Sequence, residues 1–302
     1  MTTRHQKLWT VAIATLSFFL TTCSFNKVFL QPTKAPPTAK KLTLKTATDT
    51  TVVFFSPDTH QPTFTKNGKD TIDLGYTIES VAFKSTNGNK LNGWFIKPKN
   101  KTATITLLHL HGNAGFLLSQ YQMIVPLIKN GFQIFMFDYS GFGFSDGKAT
   151  RDNVLTDALS ALDYIKSRQD VKDTKIVIYG QSLGGHLSAV VATQRQSDID
   201  GLVIEGAFSS HKDIASHRIP ILGRILVKQG YSATKSIKDF HKPLLVIHST
   251  EDKEVPFYMG KKIFDNANQP KEFYEIKKCH MCGTIFYADS IADKIKNMWT
   301  AK

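Results

Sequence analysis

Residues Lys175–Gly185 read KIVIYGQSLGG. The short apolar run Lys175–Tyr179 predicts a buried strand, and Ser182–Gln194, rich in small residues, predicts a helix. Between them lies Gly180-Gln181-Ser182-Leu183-Gly184, a G-x-S-x-G pattern. At such a junction a serine on a sharp, strained turn projects its Oγ above the sheet. The residues two before and two after it must be small, so that strand and helix can pass closely. Gly180 and Gly184 meet that need. The helix start also offers free N–H groups and a positive dipole end to a developing oxyanion. Ser182 is therefore the candidate nucleophile; without the flanking strand and helix the pattern would be an ordinary tight turn.

Outward from this stretch, short apolar strands alternate with amphipathic helices. Ala103–Leu110, Phe132–Phe137, Gly201–Ile204, Leu244–His248 and Glu272–Ile276 read as strands. Phe116–Lys129, Arg151–Arg168, Val255–Asn266 and Thr284–Trp299 have helical spacing, the first with Gly131 just past its end. Nearer the N-terminus, Val52–Phe55 and Ser80–Lys84 read as strands, and Lys90–Lys97 as the return strand of a hairpin turning at Asn87-Gly88-Asn89. The alternation predicts an α/β fold: right-handed crossovers, a mostly parallel central sheet and helices on its faces. Functional groups then gather at the C-terminal strand ends. Residues 207–242 leave the alternation and predict a small cap after strand six. Its apolar stretch Ile219–Val227, flanked by Arg218, Arg224 and Lys228, suits an acyl chain with an anionic head group or a membrane surface; the plainer reading is an amphipathic helix packed on the core.

Three loops at strand ends carry the remaining candidates. His111-Gly112-Asn113-Ala114-Gly115 follows strand three, where a second oxyanion donor is expected. The N–H of Asn113, with Ala114 as second choice, would join that of Leu183. His111 is expected to brace this loop, and His109 to pack within its strand. Pro243–Pro256 (PLLVIHSTEDKEVP) places Asp252 just past a buried strand, where its carboxylate would accept the imidazole Nδ1–H. Glu251 and Glu254 are rivals expected to face solvent. Phe273–Gly283 (FYEIKKCHMCG) places His280 between the last strand and the last helix, as the candidate base.

The run of motifs HGNAG, FDYSGFGFSDG (Phe137–Gly147), GQSLGG and HSTEDKEVPF, with a His before the last helix, resembles the membrane-tethered ABHD-type branch of the α/β-hydrolases, often classed as serine-aminopeptidase-like. The resemblance covers about Ser80 to Trp299, and the order Ser182, Asp252, His280 is the one that superfamily uses. It implies the α/β-hydrolase fold and two-step acyl transfer with no cofactor and no metal. It also implies that Gly112, Asp138 and Tyr139 brace loops. Relatives usually place Gly before and Asn after the histidine; here Cys279 and Met281 flank it. Fold likeness does not choose a substrate. A carboxylesterase or lipase-like activity is the leading expectation, with a small-molecule or lipid ester as substrate. A peptidase or amidase, and a non-catalytic lipid-tethered binding module, stand beside it.

Cys279 and Cys282 have C-x-x-C spacing, but no second pair completes a zinc site. A small-loop disulfide around His280 is expected in an oxidising compartment, against two packed free thiols. With three cysteines in all, a disulfide scaffold is excluded.

The 302 residues, 41% apolar, suffice for one full core. The net charge of +13 is spread along the chain without a basic block, so no nucleic-acid partner is expected. Arg4, His5 and Lys7 precede an uncharged apolar run from Leu8, and no charge occurs up to Asn26. Residues 1–23 thus read as an export signal or anchor. Leu20-Thr21-Thr22-Cys23 resembles a lipobox, which would make Cys23 the lipidated residue; an uncleaved anchor and a simple cleaved signal remain open. Each predicts an exported, membrane-associated protein, outer-membrane or facing the periplasm. Residues 24–50, including the Pro- and Lys-rich QPTKAPPTAKKLTLK, read as a flexible linker, with the folded domain spanning 51–302.

Overall fold

The computed structural model describes residues 29–36, 38–45 and 50–300. The signal or anchor read over residues 1–23, with Cys23, lies outside them. Eight strands form the central sheet: β1 (Tyr76–Lys84), β2 (Lys90–Pro98), β3 (Ile105–Leu110), β4 (Phe132–Phe137), β5 (Lys175–Gln181), β6 (Gly201–Glu205), β7 (Leu244–Ser249) and β8 (Lys271–Ile276). Their spatial order is β1-β2-β4-β3-β5-β6-β7-β8. β2 runs antiparallel to β1 and β4, and β3 to β8 run parallel. Parallel neighbours need crossovers, and helices supply most of them. α1 (Arg151–Ser167) joins β4 to β5 and α2 (Leu183–Gln194) joins β5 to β6. Between β6 and β7 lies the cap with α3 (His211–Arg218) and α4 (Leu222–Leu226). α5 (Phe257–Asp265) leads to β8, and α6 (Gly283–Lys296) follows it.

β3, β4, β6 and β7 are buried along their whole length. Their continuous apolar runs are what a sheet covered on both faces requires. Successive residues still divide between two cores. Leu108, Phe135, Ile178 and Val246 pack under α1, α2 and α5, whereas Leu107, Ile134, Val177 and Leu245 pack against Ile291 and Ile295 of α6.

Four expectations are corrected. Residues 116–129 do not form one helix: a turn of α-helix at Leu117–Gln120 gives way to 3₁₀ turns at Tyr121–Met123 and Val125–Asn130. Pro126 has no N–H to donate, which stops a continuous i→i−4 ladder. Second, the described part of residues 24–50 is not a free linker. Phe29 and Leu30 are buried, Gln31–Pro32 pairs with Ala114–Gly115, and Lys41–Lys45 pairs with Thr50–Phe55. Two apolar residues just ahead of a Pro- and Lys-rich stretch dock it; its composition hid them. Third, Pro62–Lys66 and Asp70–Thr71 are unforeseen strands that complete a separate four-stranded antiparallel sheet with those two. Fourth, most of the apolar cap stretch is not packed on the core. Gly223 and Val227 are buried, but Ile219, Ile221, Leu222, Ile225 and Leu226 are exposed.

Candidate active site

Gly180 and Gly184 pass where no side chain fits. A Cβ on Gly184 would lie 1.8 Å from the Leu110 carbonyl oxygen, and one on Gly180 would lie 2.3 Å from that of Gly184. Between them Ser182 adopts φ 55° and ψ −114°, a conformation that costs a non-glycine residue on the order of 1–3 kcal/mol and persists only where surroundings enforce it. The Ser182 N–H donates to the Glu205 carbonyl at 2.9 Å, and the Ser182 carbonyl accepts from His186 N–H at 3.0 Å. Ser182 opens onto a cavity of about 500 Å³, which His280, Leu183 and Asn113 also line. Its Oγ takes part in no hydrogen bond among the described residues; apo sites often leave this contact loose.

Asp252 follows β7. Its Oδ1 accepts the N–H groups of Glu254 and Val255, both at 2.9 Å, and its Oδ2 lies 2.6 Å from His280 Nδ1. Burial pushes this carboxyl upward. The bond and charge of His280, with the two backbone N–H groups, outweigh that and hold it below the ordinary range. A carboxylate against Nδ1 fixes the ring proton there and leaves Nε2 to act as base. The close packing of this pair depends on Gly206, at φ 58°, where an added Cβ would lie 3.3 Å from the His280 ring and 3.6 Å from Asp252 Oδ2. The rivals point elsewhere: Glu251 accepts the Lys278 N–H at 3.0 Å, and Glu254 lies 3.8 Å from the Arg218 guanidinium.

Leu183 opens α2, where the first N–H groups have no acceptor within the helix. Asn113 follows β3. His111 Nδ1 lies 2.8 Å from the Gly112 carbonyl. That carbonyl and the Asn113 N–H share one planar peptide group, so the bond fixes where the N–H points. A side chain on Gly112 would press on Met281, 3.2 Å away. Asp138 accepts the Leu117 N–H at 2.7 Å, and Tyr139 donates its hydroxyl to the His111 carbonyl at 3.1 Å. His109 is buried, its Nε2 2.9 Å from Gln181 Oε1. A disulfide joins Cys279 to Cys282, with Cα atoms 5.6 Å apart, and so brackets His280. Among the described residues no three His, Cys, Asp or Glu side chains group to hold a metal ion.

Sequence reasoning missed Glu205, the last residue of β6. Its buried carboxylate accepts the Tyr179 hydroxyl at 2.8 Å, the Gln181 amide at 2.7 Å and the Gly283 N–H at 2.7 Å. Burial pushes its carboxyl up, against these donors. The available signal was an acidic residue closing an apolar strand, GLVIE, where desolvation demands partners.

The family described as alpha/beta hydrolase fold matches residues 105–225. Over 210 residues the chain is 37% identical to the uncharacterized protein YfhR of Salmonella typhi, covering 64% of this chain and 71% of that protein. It is 27% identical over 225 residues to the lysophosphatidylserine lipase ABHD12 of Xenopus tropicalis, covering 68% of this chain and 57% of that one. The structure of the Pyrococcus furiosus esterase Pf2001 is similar in fold, with TM-score 0.62 at 19% identity, covering 76% of this chain and 93% of the esterase.

Proposed function

The chain belongs to the α/β-hydrolase superfamily, and from that premise we propose that it is a serine hydrolase acting on acyl esters. One observation carries the reading: the 2.6 Å contact between His280 Nδ1 and the buried Asp252, with His280 and the strained Ser182 on one cavity. In the first step Ser182 Oγ attacks the carbonyl carbon while His280 Nε2 takes its proton. Asp252 stabilises the imidazolium so formed. The oxyanion rests on the N–H groups of Leu183 and Asn113. The imidazolium protonates the departing alcohol, leaving an acyl-Ser182 ester. Water, deprotonated by His280, then releases the carboxylic acid and restores the serine.

The cavity wall supports an acyl substrate. Phe29, Phe208, Ile214, Leu226 and Val227 line it, and Arg218 stands on its wall to meet an anionic head group. The similarity to a lysophosphatidylserine lipase favours a lipid of that chemistry. An aminopeptidase would need a carboxylate for the substrate ammonium; the lining acid, Glu254, lies beside Arg218. The uncharged run from Leu8 is read as the element that holds the enzyme to a membrane.

A fluorophosphonate probe tests this, combined with p-nitrophenyl esters of graded length and aminoacyl amides. Labelling should be lost in Ser182→Ala, with kcat down by about a millionfold, and esters beyond acetate should outrun the amides. A wild-type protein that stays unlabelled would leave a binding module instead.

A further inference from the structure

Large apolar side chains are exposed mostly on one edge of this molecule. Among the described residues they are Ile219, Ile221, Leu222, Ile225 and Leu226 of the cap, Tyr258, Ile285, Phe286 and, elsewhere, Phe54. Tyr258 lies in the first turn of α5 and Ile285 and Phe286 in that of α6. Both helices start where β7 and β8 deliver Asp252 and His280, so these residues share the sheet edge that carries the cavity mouth. Ile221 and Ile225 expose 74% and 71% of their surface. Single exposed apolar residues are ordinary, whereas a group of them gathered on one edge marks a contact surface.

Two further observations choose the occupant. The side chains of Arg218 and Arg224 are 48% and 64% exposed beside these residues. Each has one acidic neighbour, in exposed geometry that contributes little, and the chain carries +13 overall. An apolar patch with a cationic border matches an anionic lipid surface. The chain also enters the fold at this edge. Phe29 and Gln31 line the cavity, and the Gln31 N–H donates to the Asn113 carbonyl at 2.7 Å. The uncharged sequence from Leu8 ends at Asn26, three residues before Phe29. Three residues reach at most about 10 Å, so only a short span of sequence separates that uncharged run from the cavity-lining Phe29.

We propose that this edge docks on an anionic bilayer. The cap isoleucines and Phe286 enter the head-group boundary, Arg218 and Arg224 meet lipid phosphates, and the cavity mouth opens onto the lipid. Docking itself is independent of hydrolysis; only its use as a route for substrate rests on the reading above.

The full-length protein is reconstituted with vesicles of phosphatidylcholine and phosphatidylglycerol carrying brominated acyl chains. Ile225→Trp and, at the opposite sheet edge, Lys172→Trp report depth as fluorescence beyond that of the unaltered chain. Both sites are exposed, so folding is spared. Apolar faces at an interface reach about 5–10 Å deep, so quenching should be about threefold stronger in the Ile225→Trp variant than in Lys172→Trp. Arg218→Glu with Arg224→Glu should lower it. Equal quenching in both variants would overturn the proposal. So would blue-shifted emission from the Ile225→Trp variant before vesicles are added, without quenching afterwards, since another part of the chain or a second copy would then cover the face. Quenching is read on Ser182→Ala as well, so failure of the hydrolase reading and failure of docking give different results.

Discussion

Gly283 donates its N–H to the Glu205 carboxylate at 2.7 Å, so a side chain at the end of β6 holds the first residue of the helix that follows His280. The same strand end holds Ser182, because the Glu205 carbonyl accepts the Ser182 N–H. One residue thus sets the spacing between the two loops that must meet.

Glu205→Ala removes the acceptor of three buried donors: the Tyr179 hydroxyl, the Gln181 amide and the Gly283 N–H. Stability should fall by about 3 kcal/mol or more in urea unfolding. Turnover should drop about tenfold to a hundredfold with KM little changed, since positioning rather than binding is lost. Glu205→Gln keeps one acceptor, and the Gln181 amide can turn to match it; that variant should recover most of the turnover. Equal losses in both variants would count against a positioning role.

The Cys279–Cys282 disulfide encloses His280 in a four-residue loop. Opening it frees the loop that holds the imidazole against Asp252. Reduction, or Cys279→Ser, should lower kcat by about tenfold or more while far-ultraviolet circular dichroism stays unchanged. Alkylation and mass measurement of the unreduced protein check the premise, and two modified thiols there would refute it.

Gly184→Ala should be among the most damaging small substitutions in the chain. Its Cβ would lie 1.8 Å from a backbone oxygen of β3, which cannot turn aside as a side chain could. Overpacking typically costs about 1–3 kcal/mol, and this case should reach or pass the upper end in denaturant titration. Gly88→Ala, with nothing nearby, lies at a positive φ and should cost only that backbone strain.

Buried histidines make stability fall in acid. Burial pushes His109 and His186 down to about 4, His111 to about 3 and His211 to about 2. All four stay neutral in the fold, whereas unfolded histidines take up protons below about pH 6.5. Their contribution is therefore present above that value and lost as pH falls. Asp138, Asp157 and Glu205 run the other way: burial pushes Asp138 up to about 7 and raises the other two, so their contribution is present at low pH and lost as pH rises. The histidines outnumber these acids, so stability should decline as pH falls from 7 to 5. Urea midpoints between pH 7 and 5 measure the slope; a flat profile would contradict these burials.

The parts of the site that could be read in sequence are those whose chemistry is tied to strand ends. Ser182, Asp252 and His280 each follow a short apolar run, and parallel sheets collect such loops on one edge. Glu205 was hidden because its partners, Tyr179, Gln181 and Gly283, are 24 or more residues away in sequence, and no spacing rule connects them. The turns of residues 117–130 were mistaken for one helix because apolar spacing outweighed Pro126. The docking of Phe29 and Leu30 was obscured by the polar, Pro-rich stretch that follows them. Exposure of the cap isoleucines could not be read either, since apolar periodicity reports a face without naming what covers it.

Phe29 packs edge-on against the buried His211, ring centroids 4.8 Å apart, and the Arg151 guanidinium lies 5.5 Å from its ring. Anyone trimming the chain to its sheet would naturally cut near Thr51, in the strand Thr50–Phe55. That cut would carry away part of the cavity wall and the partner of the Asn113 carbonyl, leaving a protein that folds around its sheet but with its cavity breached. The safe incision lies upstream of Phe29, which makes the short peptide ahead of the sheet a working component of the protein.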